Sequence, residues 1–323
     1  MTIRKSYLIQ ALKLALGALA AITLARALGL KYSTTAGTIT MLSILDTKRE
    51  TLRVALGRLM AYMAALVIAA VSYHLLGYTV AAFAVFLFFF AVVCCTRRWM
   101  FALSMMTVLM GHFMTEGGMS AEMLRNETLL FLIGASCGIA VNLTIRADES
   151  RMRELIAGVD GEMRQLLRLA ADPQKQAEAQ AKLAQLDGAL LQARKLAASN
   201  RDNRLMHAPV FDLAYVEMRG QQRDILAQIL TAAGKVHHRP VQQQTVEAFF
   251  QRVADEYHPG NDVTALQQGL NQLLDGMKED ALPTTRDEFE SRAVLYYMLV
   301  RLRDFLSIKG DFYQAHMGAG REA

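Results

Sequence analysis

Cysteine and proline are scarce in this chain of 323 residues, which has 3 cysteines, 5 prolines and a single tryptophan. Cys94, Cys95 and Cys137 all lie in apolar stretches, so neither a disulfide framework nor a cysteine-based zinc site is expected. Charged residues are also few, at 20%, whereas 53% of the residues are hydrophobic. Soluble proteins have about 25% charged and about 45–50% apolar residues. The composition excludes a disordered chain and a collagen-like chain.

Motifs of the common enzyme classes are missing as well. The chain has no Walker A sequence, no G-x-S-x-G, no H-E-x-x-H and no G-x-G-x-x-G. His237-His238 resembles a metal-binding pair only superficially, because adjacent side chains point about 100° apart on a helix and Arg239-Pro240 predicts a loop. We therefore expect no enzymatic activity, no cofactor and no metal site.

The charged residues are unevenly divided along the chain. Residues 1–146 contain 13 Lys and Arg against 5 Asp and Glu, a net charge of +8, and residues 147–323 carry a net charge of −3. The basic excess lies in the apolar half, which speaks against a nucleic-acid partner. We predict a transmembrane domain at 1–146 and a cytoplasmic all-helical domain at 147–323.

Five apolar runs in the first half are interpreted as membrane helices, which need about 20 apolar residues each. They are Leu8–Leu30, Val54–Leu76, Thr79–Cys95, Trp99–Met114 and Thr128–Ile145. The first run follows Arg4 and Lys5, as the apolar part of a cleaved signal peptide would. Its length, and the presence of Lys13 and Arg26 within it, favour a retained helix instead.

A sixth apolar segment, Ala36–Leu45, would be only about 15 Å long as a helix, half the hydrocarbon thickness. It is either an interfacial piece or a short crossing helix that begins or ends in protein or water. If it crosses, one side of the membrane holds only Lys31 and Arg125. The other side then holds Arg4, Lys5, Lys48, Arg49, Arg53, Arg97, Arg98 and Arg146. The positive-inside rule therefore favours six crossings of a bacterial-type inner membrane, with both termini in the cytoplasm.

The second half has the periodicity of amphipathic helices. Apolar residues recur at spacings of three and four, as in Leu155, Val159 and Met163, and Asp172-Pro173 predicts a helix start. Breaks are expected at Ala208-Pro209, His238-Arg239-Pro240, His258-Pro259-Gly260 and Leu282-Pro283. The predicted fold class is all-α, a six-helix transmembrane bundle followed by a cytoplasmic bundle of five or six helices. The first of these helices could continue from the last membrane span.

Ionisable residues within membrane spans are costly unless a partner or water meets them. His112 and Glu116 lie four residues apart near the end of the fifth predicted crossing, so they share one helix face. Two interpretations are open. The pair is a proton-responsive site that lines a cavity, or His112 lies near the interface and is capped by a surface glutamate.

The segment from Lys31 to Arg58 is the densest group of polar residues in the apolar half. Its hydroxyls, which would lie at membrane depth beside the short helix, belong to Thr34, Thr35, Thr38 and Thr40. A broken helix with polar groups is typical of transporter binding sites. Arg53 and Arg58 follow and could receive a carboxylate that leaves the cytoplasm. Alternatively, the charged corner anchors a cytoplasmic loop through internal salt bridges and lipid headgroups.

The order of features in residues 31–66, KYSTTAGTITMLSILDTKRETLRVALGRLMAYMAAL, resembles the aromatic acid exporter family, which is related to fusaric acid resistance proteins. A Thr-rich apolar helix leads through a charged corner into a helix that contains Arg and Gly. The resemblance implies efflux of small aromatic carboxylic acids. It also implies a homo-oligomer in place of the second membrane half of larger relatives. Gly57-Arg58-Leu59-Met60 departs from the expected Arg followed by a Gly-Thr-type packing motif.

Two functions are therefore open. In the first, the chain is an inner-membrane efflux transporter of small anionic organic acids, driven by an ion gradient because no nucleotide site is present. Arg53 and Arg58 would attract the carboxylate, the threonines at 34–40 would line the path, and His112 and Glu116 would carry the proton. In the second, the chain is a membrane-anchored interaction or regulatory protein whose helical tail binds a partner.

Overall fold

The computed structural model describes residues 2–45, 47–144, 147–170, 172–204, 211–236, 240–258 and 263–316, without the side chains of 2–7, 10 and 173. Within these ranges the regular structure consists of α-helices and one short 3-10 helix, so the all-α prediction is confirmed. Several predictions fall outside the described residues. They concern Arg146, the His237-His238 pair with Arg239, the break at Ala208-Pro209, and the Pro259-Gly260 part of the break at His258-Pro259-Gly260.

Six helices form the first half of the chain. They are α1 (Thr2–Ala27), α2 (Thr34–Ser43), α3 (Lys48–Leu76), α4 (Val80–Arg97), α5 (Met100–Glu116) and α6 (Ala121–Leu143). Each predicted apolar segment corresponds to one of them. Among the described residues, α3, α4 and α6 are long and apolar enough to cross a membrane. Large apolar side chains such as Leu56, Val67 and Phe88 are exposed on these helices, as lipid contact requires. The prediction of six crossings is not confirmed.

Polar residues just outside the apolar runs determine where the helices begin. The side chains of Thr47, Thr79 and Ser120 accept hydrogen bonds from the first turns of α3, α4 and α6. Helix α6 therefore begins seven residues before the predicted start at Thr128. Gly117, with a φ of 67°, ends α5 in the left-handed conformation that suits glycine.

The six helices pack as two groups of three. Helices α1, α2 and α6 form one triplet, and α3, α4 and α5 form the other. The short helix α2 lies directly against two glycines of α6. A Cβ atom on Gly134 would lie 2.6 Å from the Cβ of Ile39, and one on Gly138 would lie 2.4 Å from the Cβ of Ser43. Small residues permit this close approach of two helix backbones. We call the boundary between the triplets the seam.

The short helix returns the chain from one end of this unit to the other. Residues 28–31 and 116–126 contribute to a common cavity, which marks one end, named here the Lys31 end. At the opposite Lys48 end, Asn142 of α6 contacts the carbonyl of Ser43 and the hydroxyl of Thr51. Helix α2 therefore runs from the Lys31 end to the Lys48 end, where α3 begins.

The second half forms its own unit around an apolar core. It contains α7 (Glu149–Ala170), the 3-10 helix Pro173–Lys175, α8 (Gln176–Asp202), α9 (Phe211–Ala233), α10 (Gln242–Glu256), α11 (Thr264–Glu279) and α12 (Arg286–His316). The chain divides into Met1–Ala147 with Asp202–Ala208, and Asp148–Arg201 with Pro209–Ala323. Helix α6 ends at Leu143 and α7 begins at Glu149, so the two are separate helices. Asp172 caps the 3-10 helix as predicted.

A buried ionic network lies in the core of this second unit. Arg219 is completely buried, and its Nη2 atom is 2.7 Å from Oδ1 of Asp160. The guanidinium carbon lies 4.7 Å from the ring centre of Tyr215 and 4.4 Å from that of Tyr257. The hydroxyl of Tyr215 donates to Asp160, and burial raises the pKa of this tyrosine. Asp160 is therefore a carboxylate that neutralises the buried charge of Arg219.

Candidate functional site

A cluster of polar side chains lies at the Lys31 end, where α5, α6 and the loop between α1 and α2 meet. Its members are Lys31, Tyr32, His112, Glu116, Asn126 and Glu127. We call this group the polar cluster. It joins the first triplet to α5 of the second and therefore lies on the seam.

Glu127 is the most deeply buried member of the cluster. Its side chain is 0% exposed, and Oε2 lies 2.8 Å from Nδ1 of His112, whose side chain is 12% exposed. The other oxygen, Oε1, accepts a hydrogen bond of 3.0 Å from the amide of Asn126. A carboxylate in an apolar environment needs a cationic or hydrogen-bonding partner. His112 becomes that cation when it binds a proton.

Tyr32 connects His112 to a second ion pair nearer the surface. The rings of Tyr32 and His112 stack with centroids 4.0 Å apart and planes 8° apart. The Tyr32 hydroxyl donates to Oε1 of Glu116 at 3.0 Å, and Oε2 of Glu116 is 2.7 Å from Nζ of Lys31. The hydrogen bond and the negative charge of Glu116 raise the pKa of Lys31.

Asn126 holds the loop that carries Lys31 and Tyr32. Its Oδ1 atom accepts a hydrogen bond of 2.8 Å from the backbone N–H of Lys31, and its amide donates to the Lys31 carbonyl at 3.2 Å. A cavity of about 300 Å³ lies beside this loop. Lys31, Glu116, Arg125 and Asn126 are among the residues that line it. The cluster is thereby adjacent to a polar cavity at the end of the unit.

The residues predicted as proton-linked both belong to the cluster, but each has a partner that the sequence did not indicate. His112 pairs with Glu127, and Glu116 pairs with Lys31 and Tyr32. Glu127 was missed because the predicted span began one residue after it. A buried stripe at spacings of three and four gives the missing signal. It comprises Met123, Asn126, Glu127, Leu130, Phe131 and Gly134.

The four threonines of α2 lie on different faces of that helix. Thr40 is buried, and its hydroxyl donates to the carbonyls of Ala36 and Gly134 at 2.9 and 3.0 Å. Thr35 is also buried, whereas Thr34 and Thr38 are exposed. Of the four predicted path residues, Thr34 and Thr38 are therefore the two whose side chains are accessible from outside the unit.

The two arginines proposed for substrate attraction have different environments. Arg58 is 4% exposed and donates to the carbonyl of Leu42, which belongs to the last turn of α2. It thereby satisfies a carbonyl that the helix itself leaves without a donor. Arg53 is exposed, and within the described part of the chain it forms no ion pair. Arg53 is consequently the accessible cation of the two.

Side-chain hydrogen bonds connect the two triplets along the whole seam. Besides the polar cluster, the hydroxyls of Tyr62 and Thr128 are 2.8 Å apart, and Nδ2 of Asn142 is 2.6 Å from Oγ1 of Thr51. The bond from Arg58 to Leu42 also crosses the seam. Polar contacts thus extend from the Lys31 end to the Lys48 end.

Comparison with known proteins places both halves of the chain in related family models. Residues 7–145 match "Aromatic acid exporter family member 1", and residues 148–310 match "Putative aromatic acid exporter C-terminal domain". The "Uncharacterized protein YqjA" of Bacillus subtilis (strain 168) is 23% identical over 308 residues, which are 93% of this chain and 94% of that protein. A solved structure described as "Crystal structure of putative membrane protein from Clostridium difficile 630" is similar with a TM-score of 0.46 and 23% identity. The similarity covers 51% of this chain and 98% of that one.

Proposed function

This chain belongs to the aromatic acid exporter family, and from that premise we propose that it exports small anionic aromatic carboxylic acids across the inner membrane. An ion gradient drives the export, because the sequence contains no Walker A motif. The observation that carries the proposal is the His112–Glu127 pair inside an apolar helical unit. A simple membrane anchor gains nothing from a buried carboxylate, whereas transporters use such groups to bind ions.

In this proposal all six helices of the first unit traverse the membrane, and both termini lie in the cytoplasm. The return of the chain through α2 supports six traverses, although that helix has only 10 residues. Lys48, Arg49 and Arg53 lie at or near the start of α3, and Arg97 ends α4, so these cations share the Lys48 end. By the positive-inside rule, the Lys48 end faces the cytoplasm.

The substrate enters at this cytoplasmic end. Arg53 is the cation assigned to the carboxylate, because it is exposed, has no ion-pair partner within the described residues and lies one turn farther along α3 than Arg49. The exposed hydroxyls of Thr34 and Thr38 line the path farther along α2. Arg58 does not contact the substrate in this proposal. It donates a hydrogen bond to the carbonyl of Leu42 and so fixes the position of α2, which lines the path.

Transport by the purified chain in liposomes tests the function directly. We expect uptake of radiolabelled benzoate or phthalate when an ion gradient is imposed. Arg53→Ala should raise the KM about tenfold, as expected for one lost charge-assisted hydrogen bond. Arg97→Ala, which removes an exposed arginine from the end of α4, is the matched control. Unchanged transport in the Arg53→Ala/Arg58→Ala double variant would remove both residues from the path.

We also propose that the transporter is a homo-oligomer, in which a second copy takes the place of the second membrane half of the larger relatives. Light scattering of the detergent-solubilised protein should give a multiple of the mass of one chain. A mass of one chain under conditions in which transport is retained on reconstitution would contradict the oligomer.

A second candidate function is that of a membrane-anchored interaction protein. It is favoured by an open groove of about 590 Å³ between α9 and α12, lined by residues that include Thr231, Lys235 and Tyr297. This groove offers a partner both apolar and polar contacts. Transport of a labelled acid by the purified chain alone would contradict this candidate as the sole function.

A further inference from the structure

We propose that Glu127 takes up and releases the proton that drives this transporter, with His112 as its exchange partner. The inference rests on the proposed function and deepens it, because it identifies the coupling ion as a proton and assigns its binding site. Neither residue is a ligand of the carboxylate substrate in this scheme, since Glu127 is fully buried, carries a charge of the same sign as the substrate and is paired with His112.

The environment of Glu127 makes its charge depend on His112. Its two oxygens accept from His112 and Asn126, and no Lys or Arg side chain bonds to it among the residues that the structure describes. With a neutral imidazole, the pair has a net charge of −1 at a fully buried position. One added proton makes the pair neutral overall, which removes the cost of an isolated buried charge.

His112 provides the route by which the proton reaches Glu127. Its Nδ1 atom faces the carboxylate, and Nε2 has no protein hydrogen bond within the described ranges. A proton from water bonds to Nε2, and the proton on Nδ1 then passes to Oε2 of Glu127. Release follows the reverse order. Each step breaks one N–H or O–H bond and forms another, and water supplies and accepts the proton.

The remaining cluster controls access to this pair from the cavity. Tyr32 covers one face of the His112 ring, and Glu116 holds the Tyr32 hydroxyl. Several titratable groups from neighbouring elements face the pair or its immediate partners. They are Lys31 and Tyr32 of the loop, Tyr62 of α3, and Glu116 of α5. Lys31 and Glu116 neutralise each other, and α2 contains no titratable residue. Within the described cluster, Lys31 is thus paired with Glu116, and His112 is paired with Glu127.

Two transport modes of the full-length protein in liposomes test the inference. Uptake driven by a pH gradient requires net proton movement, whereas exchange of labelled for unlabelled benzoate or phthalate without a gradient does not. We expect Glu127→Gln to lower gradient-driven uptake about 100-fold, the usual contribution of a positioned proton-transfer group, and to retain exchange. Glu50→Gln is the matched control, because Glu50 is an exposed carboxylate in the first turn of α3.

The outcomes separate failure of the inference from failure of the function. If the wild type shows neither mode, the proposed function falls, and the inference with it. If the wild type transports and Glu127→Gln retains gradient-driven uptake, the inference is overturned while the function stands. If Glu127→Gln loses both modes, infrared pH titration of the purified proteins decides. A protonated-carboxyl band that the wild type shows and Glu127→Gln lacks supports the inference, and identical titrations overturn it.

Discussion

Replacement of Gly138 by alanine should destabilise the first unit, because α2 and α6 are in backbone contact there. The added Cβ atom would lie 2.4 Å from the Cβ of Ser43 and 3.1 Å from the carbonyl oxygen of Thr40. Carbon atoms prefer separations of about 3.5–4.0 Å, so α2 would have to move by about 1 Å. Overpacking of this kind costs up to about 3 kcal/mol, and the better helix propensity of alanine offsets about 1 kcal/mol.

The expected net loss of about 2 kcal/mol corresponds to a decrease in Tm of about 4–8 °C for a unit of this size. Thermal unfolding of the detergent-solubilised full-length protein, followed by circular dichroism, measures it. Gly111→Ala on α5 is the matched control, because its Cβ would meet the Phe83 ring at an ordinary distance of 3.7 Å. Its Tm should equal or exceed that of the wild type.

A second substitution tests whether the contact with Ser43 causes the loss of stability in Gly138→Ala. Ser43→Gly removes the atom that the new Cβ of Gly138→Ala would strike, so the double variant should regain part of the lost stability through coupling between the two sites. If Gly138→Ala unfolds at or above the temperature of the wild type, the close packing of α2 against α6 is refuted. If the double variant shows no coupling, the clash with Ser43 is not the cause.

Three further predictions concern the second unit. Asp160→Asn should lower the free energy of unfolding, measured with denaturant, by about 3–5 kcal/mol, because it leaves the charge of Arg219 buried without its carboxylate. A loss below about 1 kcal/mol would contradict a stabilising role of this ion pair. Gly188→Ala should stabilise α8 by about 0.5–1 kcal/mol, since an added Cβ meets no atom within 4 Å; a lower Tm would oppose this. The hydrogen bond from the Thr284 N–H lowers the pKa of Glu288 in the folded protein. The ionised Glu288 side chain therefore stabilises the fold at a pH above the ordinary glutamate pKa of about 4.3, and this stabilisation is lost as the pH falls through the lowered pKa of the folded state. The free energy of unfolding of Glu288→Gln should therefore depend less on pH in the acid range than that of the wild type. An unchanged pH profile would contradict the role of the Thr284–Glu288 hydrogen bond.

Apolar runs and periodic stripes were sufficient to predict the helices of this fold. The prediction of a short helix at Ala36–Leu45 corresponds to α2 at Thr34–Ser43, and Asp172-Pro173 begins a helical turn as expected. The start of α6 was predicted too late. Asn126 and Glu127 are polar, so the predicted apolar run began only after them, although they continue the buried face of the helix.

The pairing of the cluster was beyond sequence reasoning for a physical reason. His112 and Glu116 share a helix face, which made them the natural pair within one helix. The triplet packing instead brings Glu127 of α6 and Lys31 of the loop to these residues. Spacing along one helix cannot reveal a partner on another element, because that partner is fixed by the way the helices pack. The same holds for Arg58, whose partner is a backbone carbonyl of α2.

The seam also has a consequence for the order in which the first unit would come apart. Hydrogen bonds such as those between Tyr62 and Thr128, or Asn142 and Thr51, can be replaced by bonds to water or to detergent headgroups. The backbone contact at Gly134 and Gly138 has no such substitute. We expect an early unfolding intermediate in which the triplets have separated while every helix persists. The helical content would then decrease only at a late stage of unfolding, after water had already reached the buried carboxylate of Glu127.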